Sequence, residues 1–202
     1  METQNINNFK VVILGEYRVG KTSIINKKVH GDMGTPEATV GFGHAVMTVR
    51  ALNQEVTLDI FDTAGQEKYN AMTSNVMRNA HIFIFTYSVE KKEDDIEHNY
   101  GFDKLNTFYD LAKSNSTIEL AFVVQNKIDY IKQEDYLGAG EQGQEWCKNH
   151  SAYFYQTSAK SGQNIDELFK DIAVRAIQLQ NVMIQANNIK IDEVKNDNNC
   201  SC

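Results

Sequence analysis

The stretch GEYRVGKTS, Gly15 to Ser23, constrains this chain more than any other. It follows the apolar run Val11-Val12-Ile13-Leu14 and precedes Ile24-Ile25, so a G-x-x-x-x-G-K-[ST] loop separates a strand pattern from a helix pattern. Gly15 and Gly20 permit a tight turn whose backbone N–H groups converge on an anion. The helix that opens at Lys21 adds the positive end of its dipole. Gly15, Glu16, Tyr17, Arg18, Val19, Gly20, Lys21, Thr22 and Ser23 are therefore read as a phosphate loop. Lys21 can reach β/γ-phosphate oxygens, and the Thr22 hydroxyl can ligate Mg²⁺. The loop alone does not separate ATP from GTP.

The rest of the chain alternates. Lys10–Leu14 reads as a strand and Lys21–Val29 as a helix. Gly31–Gly43, with Pro36 as the only proline, reads as an exposed segment. His44–Arg50 and Glu55–Phe61 form an expected hairpin turning at Asn53-Gln54. His81–Val89 and Ile118–Gln125 have the apolar, β-branched and aromatic content of central strands. Helices are expected over Ile96–Lys113 and Glu141–Asn149, a last strand over Tyr153–Thr157, and a final helix over Asn164–Gln180. In that helix Ile165, Leu168, Phe169, Ile172 and Ala176 recur at helical spacing. Such alternation predicts an α/β sheet with helices on both faces, which binds ligands beyond the carboxyl ends of its strands.

At 202 residues the chain suits one domain, and a net charge of −7 speaks against a nucleic-acid binder. The N-terminus METQNINNF has no secretory pattern, and no apolar run is long enough for a membrane span. Three cysteines, two of them at the extreme end, make neither a disulfide framework nor a metal site, and favour a reducing compartment.

Two further motifs carry chemistry. Asp62-Thr63-Ala64-Gly65-Gln66-Glu67 closes the Val56–Phe61 strand. Asp62 can hold Mg²⁺ through water, since that ion keeps much of its hydration shell. Gly65 lets a backbone N–H approach a γ-phosphate, and Gln66 has the donor and acceptor needed to orient an attacking water. Asn126-Lys127-Ile128-Asp129 follows the next strand. The Asp129 carboxylate can accept two hydrogen bonds from guanine N1–H and N2, a pair that adenine lacks. Asn126 can bridge to the phosphate loop, and the Lys127 stem can cover a ring face. Ser158-Ala159-Lys160, at the end of the last strand, can offer a backbone N–H to guanine O6 and a second lysine stem.

In this order and at these separations, GEYRVGKT, DTAGQE, NKID and TSAK resemble the Ras-superfamily small GTPases, over roughly Phe9 to Gln180. The resemblance implies a P-loop NTPase fold with a six-stranded, mostly parallel sheet. It also implies GTP/GDP and Mg²⁺ binding, a low intrinsic rate of GTP hydrolysis, and two loops whose order depends on the γ-phosphate. Thr39 then matches the first-switch threonine that contacts Mg²⁺ and the γ-phosphate, and Gly65 to about Arg78 the second switch. The metal set is thus Thr22, Thr39 and Asp62, and the catalytic residue Gln66.

Within the superfamily DTAGQEKYNAMTSNVMRNAH is most similar to Rab proteins, and Cys200-Ser201-Cys202 resembles their doubly prenylated C-x-C end. The C-a-a-X rule does not fit. Two lipid chains anchor stably where one does not. The expected organisation is a GTPase domain over residues 1–180 and a flexible tail over 181–202. The resemblance further implies a monomer that cycles between cytoplasm and endomembranes, with effectors, an exchange factor, a GTPase-activating protein and a GDP-dissociation inhibitor as partners. Departures from the pattern include Phe61 for the usual tryptophan, a glycine-rich first switch, and Tyr17 and Arg18 inside the phosphate loop. Alternatives are a GTP-binding scaffold with little hydrolysis, a non-Rab Ras-like signalling protein, or a P-loop kinase or ATPase.

Overall fold

The computed structural model describes residues 7–34, 42–63, 70–91, 97–132 and 136–197. In chain order the strands and helices are β1 (Asn8–Gly15), α1 (Lys21–His30), β2 (Phe42–Ala51), β3 (Gln54–Thr63), α2 (Asn70–Met77), β4 (Ile82–Lys91), β5 (Glu97–Tyr100), α3 (Leu105–Asn115), β6 (Leu120–Asn126), α4 (Tyr136–Ala139), α5 (Glu141–His150), β7 (Tyr153–Gln156) and α6 (Ile165–Asp197). The sheet runs β2-β3-β1-β4-β6-β7, with β5 added on β4. β1, β3, β4, β6 and β7 are parallel, and β2 and β5 are antiparallel to their partners.

Alternation of side chains along each strand divides the core into two layers. Val11, Ile13, Ile82, Ile84, Phe122 and Val124 face one way, toward α1 and α6. Val12, Leu14, Phe83, Phe85, Ala121 and Val123 face the other, toward α2, α3 and α5. Because helices cover both faces, the central strands read as unbroken apolar runs. In α6 the buried side chains are Ile165, Leu168, Phe169, Ile172, Ala173, Ala176 and Ile177, the stripe expected of a helix lying on a sheet.

Four details differ from the sequence reading. The sheet has seven strands rather than six. The helix expected from Ile96 starts only at Leu105, because Glu97–Tyr100 is strand and Gly101, at φ 81, turns the chain. The β2–β3 turn centres on Leu52 and Asn53, both left-handed at φ 47 and 62, as a two-residue hairpin turn requires. The last helix passes Gln180 and reaches Asp197, where the sequence reading placed a flexible tail; no glycine or proline interrupts Ile165–Asp197. Among the described residues no helix is long and apolar enough to cross a membrane.

Candidate functional site

Parallel strands bring their carboxyl ends to one edge of the sheet, and the motif residues gather there. β1 ends at Gly15, where a Cβ would stand 2.1 Å from the Thr86 carbonyl oxygen of β4, so no side chain fits. The loop then turns back into α1 at Gly20, at φ 95, where a Cβ would meet Asn126 Nδ2 at 2.3 Å. Between them Val19 is fully buried, Arg18 is left-handed at φ 66, and Tyr17 stands at the surface. The Tyr17 N–H donates to Glu16 Oε1 at 2.9 Å.

Lys21, the first residue of α1, is 6% exposed. Its ammonium donates to the Gly15 and Glu16 carbonyls at 2.9 and 3.0 Å, which aims it across the mouth of the loop. Burial lowers its pKa to about 8, against the attraction of Asp62 and Glu16. A buried cation of this kind gains from a bound polyanion, which supplies the charge its surroundings lack. One residue on, Thr22 Oγ1 donates to Asp62 Oδ2 at 2.5 Å, joining the first turn of α1 to the end of β3. Asp62 is 4% exposed. A hydroxyl and a carboxylate side by side are hard oxygen donors of the kind Mg²⁺ takes, so the residues fit that ion. Next to them, Thr63 Oγ1 donates to the Ile13 carbonyl at 2.7 Å and fixes β3 against β1.

The second half of the site sits beyond β6. Asn126, 1% exposed, is a bridge: its Nδ2 donates to the Val19 carbonyl at 3.0 Å, and its Oδ1 accepts the Ala159 N–H at 3.2 Å and the Thr157 hydroxyl at 3.3 Å. One side chain thereby ties the phosphate loop to the Thr157–Lys160 loop. Lys127 is left-handed at φ 63, and its ammonium donates to Glu90 Oε1 at 2.9 Å. Asp129 Oδ1 accepts from Ser158 Oγ at 2.6 Å, and Lys160 Nζ lies 3.9 Å from its other oxygen. The carboxylate is thus oriented by a buried serine. It can serve as a fixed acceptor for a paired N–H edge.

Of the sequence-predicted set, Gly15 through Ser23, Asp62, Asn126, Lys127, Asp129, Ser158, Ala159 and Lys160 lie at this edge, on strand ends, the first turn of α1 and the loops between them. Thr39, Gly65, Gln66, Cys200 and Cys202 lie outside the described residues. The Ala159 N–H, a candidate for guanine O6, is engaged by Asn126. Sequence reasoning gave no role to Thr157, although it stands in the TSAK motif and its side chain is fully buried against Asn126. It also missed Glu90, for which no local pattern gives a signal. With Arg18, Tyr100, Lys127 and Tyr130, Glu90 lines an open cavity of about 580 Å³ beside the site.

A family model described as the Ras family matches residues 10–178. Over 171 residues the chain is 33% identical to a putative ras-related protein Rab-5B of Dictyostelium discoideum, covering 84% of this chain and 76% of the relative. It is 33% identical over 183 residues to the Ras-related protein Rab-7b of Paramecium octaurelia, covering 87% and 84%. With the Ras-related protein Rab-30 of Homo sapiens it shares 29% identity over 183 residues, covering 90% of this chain and 86% of that relative.

Proposed function

Since this chain belongs to the Ras family and is a small GTPase, hydrolysing GTP to GDP, we propose that it acts as a Rab-type switch that recruits effectors to intracellular vesicle membranes while GTP is bound. The observation that carries the guanine-nucleotide part is the Asp129 carboxylate, held by Ser158 at 2.6 Å behind the Asn126 bridge. A fixed acceptor recognises an edge with two adjacent donors and repels adenine N1, which is itself an acceptor. A mismatch leaves buried polar groups unpaired, and that discrimination is large.

In this reading Lys21 and the loop amides neutralise the β- and γ-phosphates as charge moves between them. Thr22 and Asp62 hold Mg²⁺, together with Thr39, and the bound ion supplies further neutralisation of the phosphate oxygens. Gln66 orients the attacking water. The reading assigns no arginine donor in cis, so the intrinsic rate is expected to be low and an activating partner to raise it by about 10³–10⁵. The globular part of the chain forms the switch, and the segment beyond Gln180, helical as far as Asp197, leads to the anchoring end. Prenyl groups on Cys200 and Cys202 bring the protein to the cytosolic face of endomembranes, and a GDP-dissociation inhibitor, an exchange factor and effectors complete the cycle.

Affinities of the wild type for GTP and ATP, compared with Asp129→Asn, test the base reading. The wild type is expected to prefer GTP strongly, and the variant to lose about 10²-fold or more in GTP affinity while gaining xanthosine triphosphate, whose 2-oxo group accepts from an amide. Equal affinity for ATP overturns it. For the membrane role, a tagged chain is compared with Cys200→Ser/Cys202→Ser; an unchanged membrane distribution rules out prenyl anchoring.

A further inference from the structure

β1 accompanies β4 only as far as the Gly15–Thr86 pair, where the phosphate loop departs. From Ser88 onward the vacated edge of β4 is taken by β5, while the opposite edge of Ser88 still pairs with Asn126 of β6. β5 therefore stands in line with β1, against the outside of the phosphate loop. The approach is close: a Cβ on Gly101 would lie 3.0 Å from Glu16 Cβ and 3.3 Å from Val19 Cγ1. Tyr100 stands within the fields of Glu16, Glu90, Arg18 and Asp103.

The same hairpin reaches the base-side loop twice. Glu90 holds the Lys127 ammonium at 2.9 Å, with both side chains only about a third or less exposed, at 32% and 26%. Asn99 Oδ1 accepts from Gln125 Nε2 at 2.7 Å, and Gln125, fully buried directly before Asn126, also donates to the Ala139 carbonyl at 2.8 Å. Gln125 Oε1 in turn accepts from Gln156 Nε2 at 2.8 Å. Asn99 Nδ2 donates to Gln142 Oε1 at 3.1 Å.

We propose that the β4–β5 hairpin is a clamp on the bound nucleotide, in which Glu90 is a positioning residue that fixes the Lys127 side chain over the base. The inference rests on the guanine-nucleotide reading above. Lysine carries a flexible four-carbon stem, so its position over a ring is set by whatever holds the ammonium. Glu90 does so from a rigid strand that also abuts the phosphate loop. Loss of the contact lets the stem wander and raises the release rate. Association changes less, because mutational effects on affinity fall mostly on dissociation.

The sign of the effect separates this role from plain electrostatics. Glu90 is an anion near a phosphate site, and removing its charge without any clamp would slow release. Release of a fluorescent GDP analogue into excess GDP, with Mg²⁺ present, is measured for the wild type, Glu90→Gln and Asn99→Ala. The clamp predicts release about three- to tenfold faster in Glu90→Gln, in keeping with loss of a charged, partly exposed hydrogen bond. It predicts a smaller acceleration in Asn99→Ala, which loosens the brace but keeps Glu90. It also predicts that added salt speeds release from the wild type and not from Glu90→Gln. Unfolding of the nucleotide-free proteins should be nearly equal for wild type and Glu90→Gln, as a merely structural role would not allow. Release that is unchanged or slower in Glu90→Gln overturns the clamp and leaves the guanine reading intact. A wild type that binds no GDP overturns both.

Discussion

Asn126 offers the sharpest test of how the two halves of the site are joined. Its side chain is 1% exposed and satisfies three groups: the Val19 carbonyl at 3.0 Å, the Ala159 N–H at 3.2 Å and the Thr157 hydroxyl at 3.3 Å. Val19 and Thr157 are fully buried and Ala159 is 5% exposed, so Asn126→Ala leaves all three without ready access to water. An unmet buried group costs about 1–3 kcal/mol. The Thr157 hydroxyl can rotate, and two of the bonds are long, so each counts near the bottom of that range and the total is about 3 kcal/mol. Gly20 bounds the space from the other side, since a Cβ there would lie 2.3 Å from Asn126 Nδ2. Urea unfolding of the nucleotide-free variant should therefore show about 3 kcal/mol less stability than wild type. Because the bridge holds the phosphate loop to the base loop in both the free and the bound protein, its loss cancels from the binding free energy, and GDP affinity measured under folding conditions should change little. A large loss of affinity with unchanged unfolding would refute the reasoning. Asn126 would then act on the nucleotide directly and not as a brace.

Lys21 makes the nucleotide-free protein pH-sensitive. With its folded pKa lowered by burial from 10.5 to about 8, the folded state binds fewer protons than the unfolded state between those values. Stability should rise as pH climbs through that window, and below it the cost of burying the charge is present in full. GDP returns the proton, so titration calorimetry near pH 8.5 should show a binding heat that depends on buffer ionisation enthalpy. No such dependence would show that Lys21 does not titrate there. Tyr17, 36% exposed on the phosphate loop, is expected to obstruct an incoming activating partner. Tyr17→Gly should raise partner-stimulated GTP hydrolysis with GTP affinity nearly unchanged, and weaker affinity without a rate gain contradicts this. Gly143 in α5 has no room for a side chain, since a Cβ would stand 2.3 Å from Phe154 and 2.5 Å from the Tyr87 hydroxyl. Gly143→Ala should cost about 1–3 kcal/mol in urea unfolding, and a neutral result would mean that α5 shifts freely on the sheet.

By itself, the sequence determined everything that depends on local pattern. The run before Gly15 had to be a strand buried on both faces, and the apolar spacing from Ile165 to Ala176 had to be a helix lying on a sheet. Each motif then fell at the end of a strand, and a parallel sheet brings such ends to one edge. That is why Lys21, Asp62, Asn126 and Asp129 could be read from the sequence as candidates standing at one edge. Tertiary structure decided the rest. Glu97–Tyr100 reads as the start of a helix, yet it pairs with β4, because β1 leaves that edge at Gly15 and exposes backbone groups that need partners. The joining of Glu90 to Lys127 follows from that pairing, across 37 positions of sequence, and no periodicity encodes it. Asn126 was readable as a bridge to the phosphate loop, but its engagement of Thr157 and Ala159 depends on where β7 comes to lie beside β6. Local pattern fixes which residues stand at strand ends; only the packed sheet fixes which of them touch.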